Sequence, residues 1–133
     1  MKCTASAMRH LALLAATSLL EACACTSAPP LGEDGARVEQ VVQRAAPVGS
    51  LASQARGFLE QRGFACTTRM RAPLAVRGLP DPRIDGRPGL FDYLDCTQGH
   101  GESWMVTREC EVAILLHDDQ VVEVLAKVWL DGP

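Results

Sequence analysis

The 133-residue sequence lacks several features that would place it in a common functional class. It has no basic excess, because 13 Lys and Arg face 16 Asp and Glu, which argues against a general nucleic-acid binder. It has no apolar run of the roughly 18 to 20 residues that a membrane-spanning helix needs. Hydrophobic residues make up 47% of the chain, which is too many for full disorder. A chain of this length holds one small domain.

Motifs that would identify an enzyme or a metal protein are also missing. The chain has no Cys-x-x-Cys or His-x₃-His spacing, no Gly-rich phosphate loop, and no nucleophile-elbow context around Ser103. His100 and His117 are the candidate bases or ligands, but both fall at predicted turns. Cys110, the candidate nucleophile, lies in phase with predicted core residues. We therefore expect no catalytic residue, no cofactor and no metal.

The first 25 residues have the three zones of a secretory signal. Lys2, Arg9 and His10 form a short basic stretch, residues 11–20 carry no charge, and small residues follow at 22–25. We expect this segment to direct export, the alternative being a buried N-terminal helix.

Residues 20–23, Leu-Glu-Ala-Cys, resemble the processing motif of bacterial lipoprotein precursors. The resemblance implies cleavage before Cys23 and attachment of lipid to Cys23. Because Ala24 rather than Asp follows, it also implies the periplasmic face of the outer membrane. Glu21 departs from the family pattern, which prefers a small neutral residue there. Cys25 is a second candidate for modification, and a soluble periplasmic or secreted protein is the alternative.

The chain is predicted to divide into three parts. Residues 1–22 are the signal peptide. Residues 23–35 are the anchor and a flexible tether, because they carry Pro, Gly and acidic residues without periodicity. Residues 36–133 form a single small domain.

Apolar spacing within this domain changes from helical to alternating. It predicts one helix over 36–46, which stops at Pro47, and a second from an N-cap at Ser50 to a C′ glycine at Gly63. Alternation predicts strands near 64–70, 90–97, 104–116 and 121–130. The predicted fold class is α+β, with an N-terminal helix or helix pair packed on an antiparallel sheet of about four strands.

Three cysteines, Cys66, Cys96 and Cys110, fall on predicted strands in phase with the apolar face. An exported chain meets oxidising conditions, so we expect a disulfide. We favour Cys66–Cys96, which would close about 30 residues and stabilise the domain by roughly 3 to 4 kcal/mol. Cys96–Cys110 stays open, as does a bond to Cys25, because connectivity does not follow from sequence.

Residues 71–89 form a long Pro- and Gly-rich connection, which we predict to be a surface loop, with a short strand at 74–76 as an option. The charge is uneven: residues 65–90 carry five arginines against two acids, and residues 91–133 carry nine acids against two basic residues. One hypothesis is that the arginines bind an acidic partner or anionic lipid head groups. The alternative is that they pair with the acidic strands of their own domain. These arginines are Arg69, Arg71, Arg77, Arg83 and Arg87.

Size, compartment and the absence of catalytic motifs favour a lipid-anchored protein-binding module of the accessory or inhibitor type. Its partner would be an envelope or periplasmic protein, with the membrane reached through the N-terminal lipid. Trp104 and Trp129, with Tyr93 and the arginines, are the expected contact residues, because aromatic residues and Arg anchor interfaces. Ordinary strand or core packing is the alternative for the aromatic residues. A structural envelope lipoprotein and a small periplasmic hydrolase are the other candidate functions.

Overall fold

A computed structural model describes residues 30–75, 77–78 and 80–133. The signal peptide, Cys23 and most of the tether lie outside the described residues. Two helices precede a single four-stranded antiparallel sheet of order β1-β2-β3-β4, so the predicted α+β class is confirmed. The elements are α1 Gly35–Ala45, α2 Ala52–Gln61, β1 Ala65–Ala72, β2 Phe91–Gly101, β3 Thr107–His117 and β4 Gln120–Asp131.

Helix α1 follows the predicted pattern. Val38 and Val42 are fully buried at its one-turn spacing, and the helix ends just before Pro47. Asp34 caps its N-terminus, where the carboxylate accepts a 2.8 Å hydrogen bond from the Arg37 N–H. Such a cap satisfies one of the backbone donors that the first turn leaves unpaired.

Helix α2 begins differently from the prediction. Ser50 was expected as the N-cap, but its hydroxyl donates instead to the Pro47 carbonyl oxygen, and Leu51 holds the cap position without a side-chain bond. The hydroxyl of Ser50 is bonded within the tight turn after α1, so the predicted N-cap position of α2 is wrong by one residue. The other end is as predicted, because Gly63 follows the helix with φ +85°, a conformation that favours glycine.

The helices cover one face of the sheet and form the helix-side core. Val38, Val42, Ala55 and Leu59 from the helices meet the alternating residues of β2, β3 and β4. The main strand contributors are Leu94, Cys96, Val112, Ile114, Val124 and Ala126. A register shift between Leu115 and Leu116 also turns Val121 into this core, so that Val122 is exposed.

Residues 73–75, 77–78 and 80–90 lie over the opposite face of the sheet. Leu74 and Ile84 are buried there against Tyr93, Leu115 and Leu125. The predicted long connection is therefore a packed layer of the domain over the mixed face of the sheet. Residues 73–75 lie outside any strand, so the optional strand at 74–76 is not seen there, and Val76 lies outside the described residues.

Cys66 and Cys96 form the favoured disulfide, which joins β1 to β2 across 30 residues of sequence. The two residues are direct partners in the antiparallel register. Among the described residues Cys110 is the free cysteine, since Cys96 is already bonded to Cys66.

Candidate functional site: the β1 edge and its pocket

The two outer edges of the sheet are treated differently, and the β4 edge is closed. At Ala126 the backbone N–H donates to Glu39 Oε1 over 3.0 Å, and the carbonyl accepts from Arg83 Nη2 over 3.3 Å. Arg83 also pairs with Glu39 at 2.6 Å and with Asp81 at 2.8 Å. The hydrogen bond from Arg83 holds the pKa of Asp81 below its ordinary value. Gly35 lets the start of α1 approach β4 closely, since a Cβ at this position would overlap the Ala126 carbonyl.

The β1 edge is open at Thr68, while at Cys66 the outward carbonyl accepts a 2.8 Å hydrogen bond from Arg56 Nη2. The Cα atoms of Cys66 and Cys96 are 4.1 Å apart, the close spacing of a non-hydrogen-bonded antiparallel pair. In such a pair the backbone N–H and C=O groups point away from the partner strand, so those of Cys66 point out of the sheet. Thr68, two residues further along, presents its backbone groups in the same direction. An edge of this kind is a template for pairing with another strand.

A cavity of about 190 Å³ lies beside this edge, on the helix side of the sheet. Pockets for drug-sized ligands are usually about 300 to 1,000 Å³, so this volume suits a single side chain better. Leu94 and Leu116 are the apolar members, and polar groups from α2 and β1 complete the wall. The full lining is Ala52, Ser53, Arg56, Thr68, Leu94, Leu116 and Asp119.

Arg56 controls the electrostatics of the edge and the cavity. Its Nη2 donates to the Cys66 carbonyl over 2.8 Å, and its Nη1 lies 3.3 Å from Thr68 Oγ1. Its Nε pairs with Glu60 at 2.9 Å, with both side chains substantially exposed. The first turn of α2 also points its positive end toward the cavity, at Ala52 and Ser53. Glu60, paired with Arg56, and Asp119, in the wall of the cavity, place negative charge beside these positive groups.

The open edge is short because β1 bends at Arg71. This residue has φ +48°, and its N–H donates to Asp92 Oδ1 over 2.7 Å. The register between β1 and β2 shifts between Arg69 and Ala72. A strand that paired with β1 would therefore be limited to about five residues opposite 65–69.

Three of the five predicted binding arginines form ion pairs within the domain. Arg69 Nη2 lies 3.6 Å from Asp95, Arg83 pairs with Glu39 and Asp81, and Arg87 Nη1 lies 2.8 Å from Glu123. Arg69 and Arg87 pair with strand carboxylates, as the self-pairing alternative predicts, whereas the partners of Arg83 lie on α1 and in its own segment. Arg69 and Arg71 lie on β1 itself, beside the open edge.

The predicted aromatic contacts are placed in three different environments. Tyr93 is buried, and its hydroxyl lies 3.2 Å from the Pro73 carbonyl oxygen. Trp129 is half-buried and lies close against Gly78 of the covering segment. Trp104 is 92% exposed, in the turn between β2 and β3. The structure does not bring the three together.

Sequence reasoning missed a buried charged pair beneath residues 73–75, 77–78 and 80–90. Glu111 is 1% exposed and Lys127 is 8% exposed, and they are direct partners across β3 and β4. Glu111 Oε2 accepts a 2.7 Å hydrogen bond from the Arg77 N–H, which ties the covering segment to the sheet. Burial raises the pKa of Glu111, and nearby Asp95 raises it further. The mixed pattern of β4 carried no signal that Lys127 would be covered.

None of the candidate catalytic groups His100, His117 and Cys110 is among the residues that line the cavity. His100 lies on β2 opposite Arg108, not at the predicted turn, and His117 ends β3 with its Nε2 3.4 Å from Asp118 on an exposed surface. Burial raises the pKa of the Cys110 thiol to about 12. Within residues 30–75, 77–78 and 80–133 no three His, Cys, Asp or Glu side chains are grouped to hold a metal ion. Over the same residues no helix is long and apolar enough to cross a membrane.

Compared with protein-family models, curated proteins and solved structures, the chain matches none. The functional argument therefore depends on the geometry of the β1 edge and its pocket.

Proposed function

We propose that the protein is an exported, lipid-anchored binding module without catalytic activity, which takes up an extended segment of an envelope or periplasmic protein at the β1 edge. The observation that carries this proposal is the position of Thr68. Its outward backbone groups lie directly beside a cavity of about 190 Å³. Strand addition obtains affinity from backbone hydrogen bonds and specificity from pockets for alternate side chains, and both elements meet here.

The chemistry of the edge defines the segment that would bind. A residue paired opposite Thr68 would direct its side chain to the same face, toward Leu94 and Leu116, which favours a medium-sized apolar residue. An Asp or Glu next to it would compete with Glu60 for Arg56, near the positive end of α2. The disulfide at Cys66 holds this short edge strand against β2, so less ordering is required when a partner binds.

The localisation of the protein is part of the same proposal. The Cys66–Cys96 bond supports an oxidising compartment, where such bonds form and persist. The lipid attachment depends on the resemblance at residues 20–23. Labelling cells with a tagged fatty acid tests it: label that persists in a Cys23→Ser variant would exclude Cys23 as the anchor.

The binding proposal is tested by selecting random peptides displayed on phage against the mature protein. We expect the selected peptides to share an extended segment with a medium-sized apolar residue. Thr68→Pro removes the outward N–H from an edge strand, a place where proline is tolerated. It should weaken the selected peptides by at least about tenfold, the equivalent of ~1.4 kcal/mol and of one lost backbone hydrogen bond.

Thr68→Val is the matched control, because it keeps the backbone donor and the shape of the side chain. It should bind the peptides nearly as well as the parent. Ser53→Phe should fill the cavity and exclude the apolar side chain. If the selected peptides bind Thr68→Pro and Ser53→Phe as tightly as the parent, the proposed site is wrong. A structural envelope lipoprotein would select no peptides that depend on this edge.

A further inference from the structure

A second surface lies at one end of the sheet, in the turn between β2 and β3. Trp104 is 92% exposed there, Met105 is 44% exposed, and Leu130 near the end of β4 is 62% exposed. The turn is held in shape by the N–H groups of Glu102 and Ser103, which donate to the Val106 carbonyl oxygen over 2.9 and 3.1 Å. We call Trp104, Met105 and Leu130 the tip patch.

The N-terminal segment enters the domain toward this same end. Gly35 begins α1 beside Ala126, and just after α1 the Gly49 N–H donates to the Val121 carbonyl oxygen over 2.7 Å. Helix α1 therefore runs antiparallel to β4, with its N-terminus toward Leu130. Its length of about 16 Å matches five strand residues of about 3.4 Å each. From Ala126 to Leu130 is a further distance of roughly 14 Å.

Tether length brings this end of the domain close to a bilayer. If Cys23 carries lipid, only seven residues, 24–30, separate it from Leu31, which packs against the helix-side core. The charge around the tip patch is small and slightly acidic. Glu102 and Arg108 neutralise each other at 2.7 Å, which leaves Asp131 beside the patch. A zwitterionic lipid surface suits this arrangement better than an anionic one.

We propose that the tip patch is a membrane contact that inserts Trp104 into the interface of a zwitterionic phospholipid bilayer. Tryptophan suits this depth, since its ring is apolar and its N–H stays hydrated. The contact rests on the proposed lipid anchor for its proximity to the bilayer. Thr68 pairs with Leu94, which lies seven residues before the tip end of β2 at Gly101. The β1 edge therefore stays clear of the lipid and open to a partner.

The experiment uses the two tryptophans of the chain as separate reporters. Mature protein purified from membranes is reconstituted on phosphatidylcholine vesicles with brominated acyl chains. In a Trp129→Phe variant, Trp104 should emit at shorter wavelength, be quenched by the bromines and become less accessible to acrylamide. In the matched Trp104→Phe variant, the Trp129 emission should not change when vesicles are added.

A second arm separates failure of the contact from failure of the anchor. The mature chain with an N-terminal hexahistidine in place of the lipid is held on vesicles that contain a nickel-chelating lipid. The same shift and quenching of Trp104 are expected. Trp104 emission that is unchanged in this arm overturns the proposal, whether or not Cys23 is modified. Shielding of Trp104 by a protein partner but not by the lipid also overturns it.

Discussion

Reduction of the Cys66–Cys96 bond should cost the domain a large part of its stability. The bond closes a 30-residue separation, and in the chain-entropy model its loss costs about 3.5 kcal/mol, because the reduced unfolded chain gains freedom. A domain of about 100 residues has roughly 5 to 15 kcal/mol of unfolding free energy in total. The reduced domain should therefore remain folded, but with a much smaller margin. The other contacts of the folded state should change little, since the two sulfurs have only to separate from bonding to van der Waals distance.

Urea unfolding with and without reductant, followed by tryptophan emission, measures this cost. A background in which Cys23, Cys25 and Cys110 are all replaced by alanine prevents thiol exchange and affects both arms equally. With a slope of about 1.5 kcal/mol per M, the midpoint should fall by about 2 M on reduction. The slope should rise somewhat on reduction, because the unfolded chain without the crosslink is less compact and exposes more surface. Coincident unfolding curves would refute the view that this bond constrains the unfolded chain.

Three further predictions follow from single residues. Cys110 should react with a thiol reagent at pH 8 far more slowly in the folded than in the urea-unfolded protein, because burial raises its pKa to about 12; equal rates would contradict its burial. Glu111 binds its proton more tightly when folded, so stability should fall as pH rises from its ordinary pKa through the raised value. Glu111→Gln should remove that decline in urea titrations, and an unchanged slope would exclude Glu111 as its source. Trp104 is exposed, so Trp104→Ser should change the unfolding free energy by less than about 0.5 kcal/mol. Leu59 is buried, so Leu59→Ala should lower the unfolding free energy by about 2 to 5 kcal/mol. Similar losses in the two variants would contradict the burial pattern.

The lipid anchor, the compartment and the binding role of the arginines remain predictions. Residues 20–23 lie outside the described residues, so the fatty-acid labelling experiment decides the anchor. The arginine hypothesis loses part of its basis, because Arg69, Arg83 and Arg87 already have carboxylate partners in the domain. An acidic partner that bound these arginines would have to displace those pairs.

Prediction from sequence succeeded where the signal was local. The spacing of Val38 and Val42 and the stop at Pro47 located α1, since both act within one helical turn. The turn after His117 was predicted from polar residues between two apolar runs, and Asp118 and Asp119 adopt the positive φ of a two-residue hairpin turn. Ser50 shows the limit of local rules, because a neighbouring turn captured the hydroxyl that was expected to cap α2.

The candidate site had no comparable signal in the sequence. Thr68 is one polar residue on an alternating strand, and nothing local indicates that its backbone faces outward beside a cavity. That position depends on the strand order and on the spacing at Cys66–Cys96. The cavity is lined by residues from α2, from β1, β2 and β3, and from the β3–β4 turn, and these segments meet only after folding.

The sequence alone therefore determined the helices, the strands, the phase of the cysteines and the α+β class, because periodicity and chain-breaking residues act over a few positions. Only the tertiary structure decided which edge of the sheet is closed. Glu39 caps Ala126 from 87 residues away, and Arg83 reaches the same backbone from a connection with no regular structure. It also placed residues 73–75, 77–78 and 80–90 over the second face and left Trp104 uncovered. Such choices depend on contacts between distant residues, for which the local pattern carries no information.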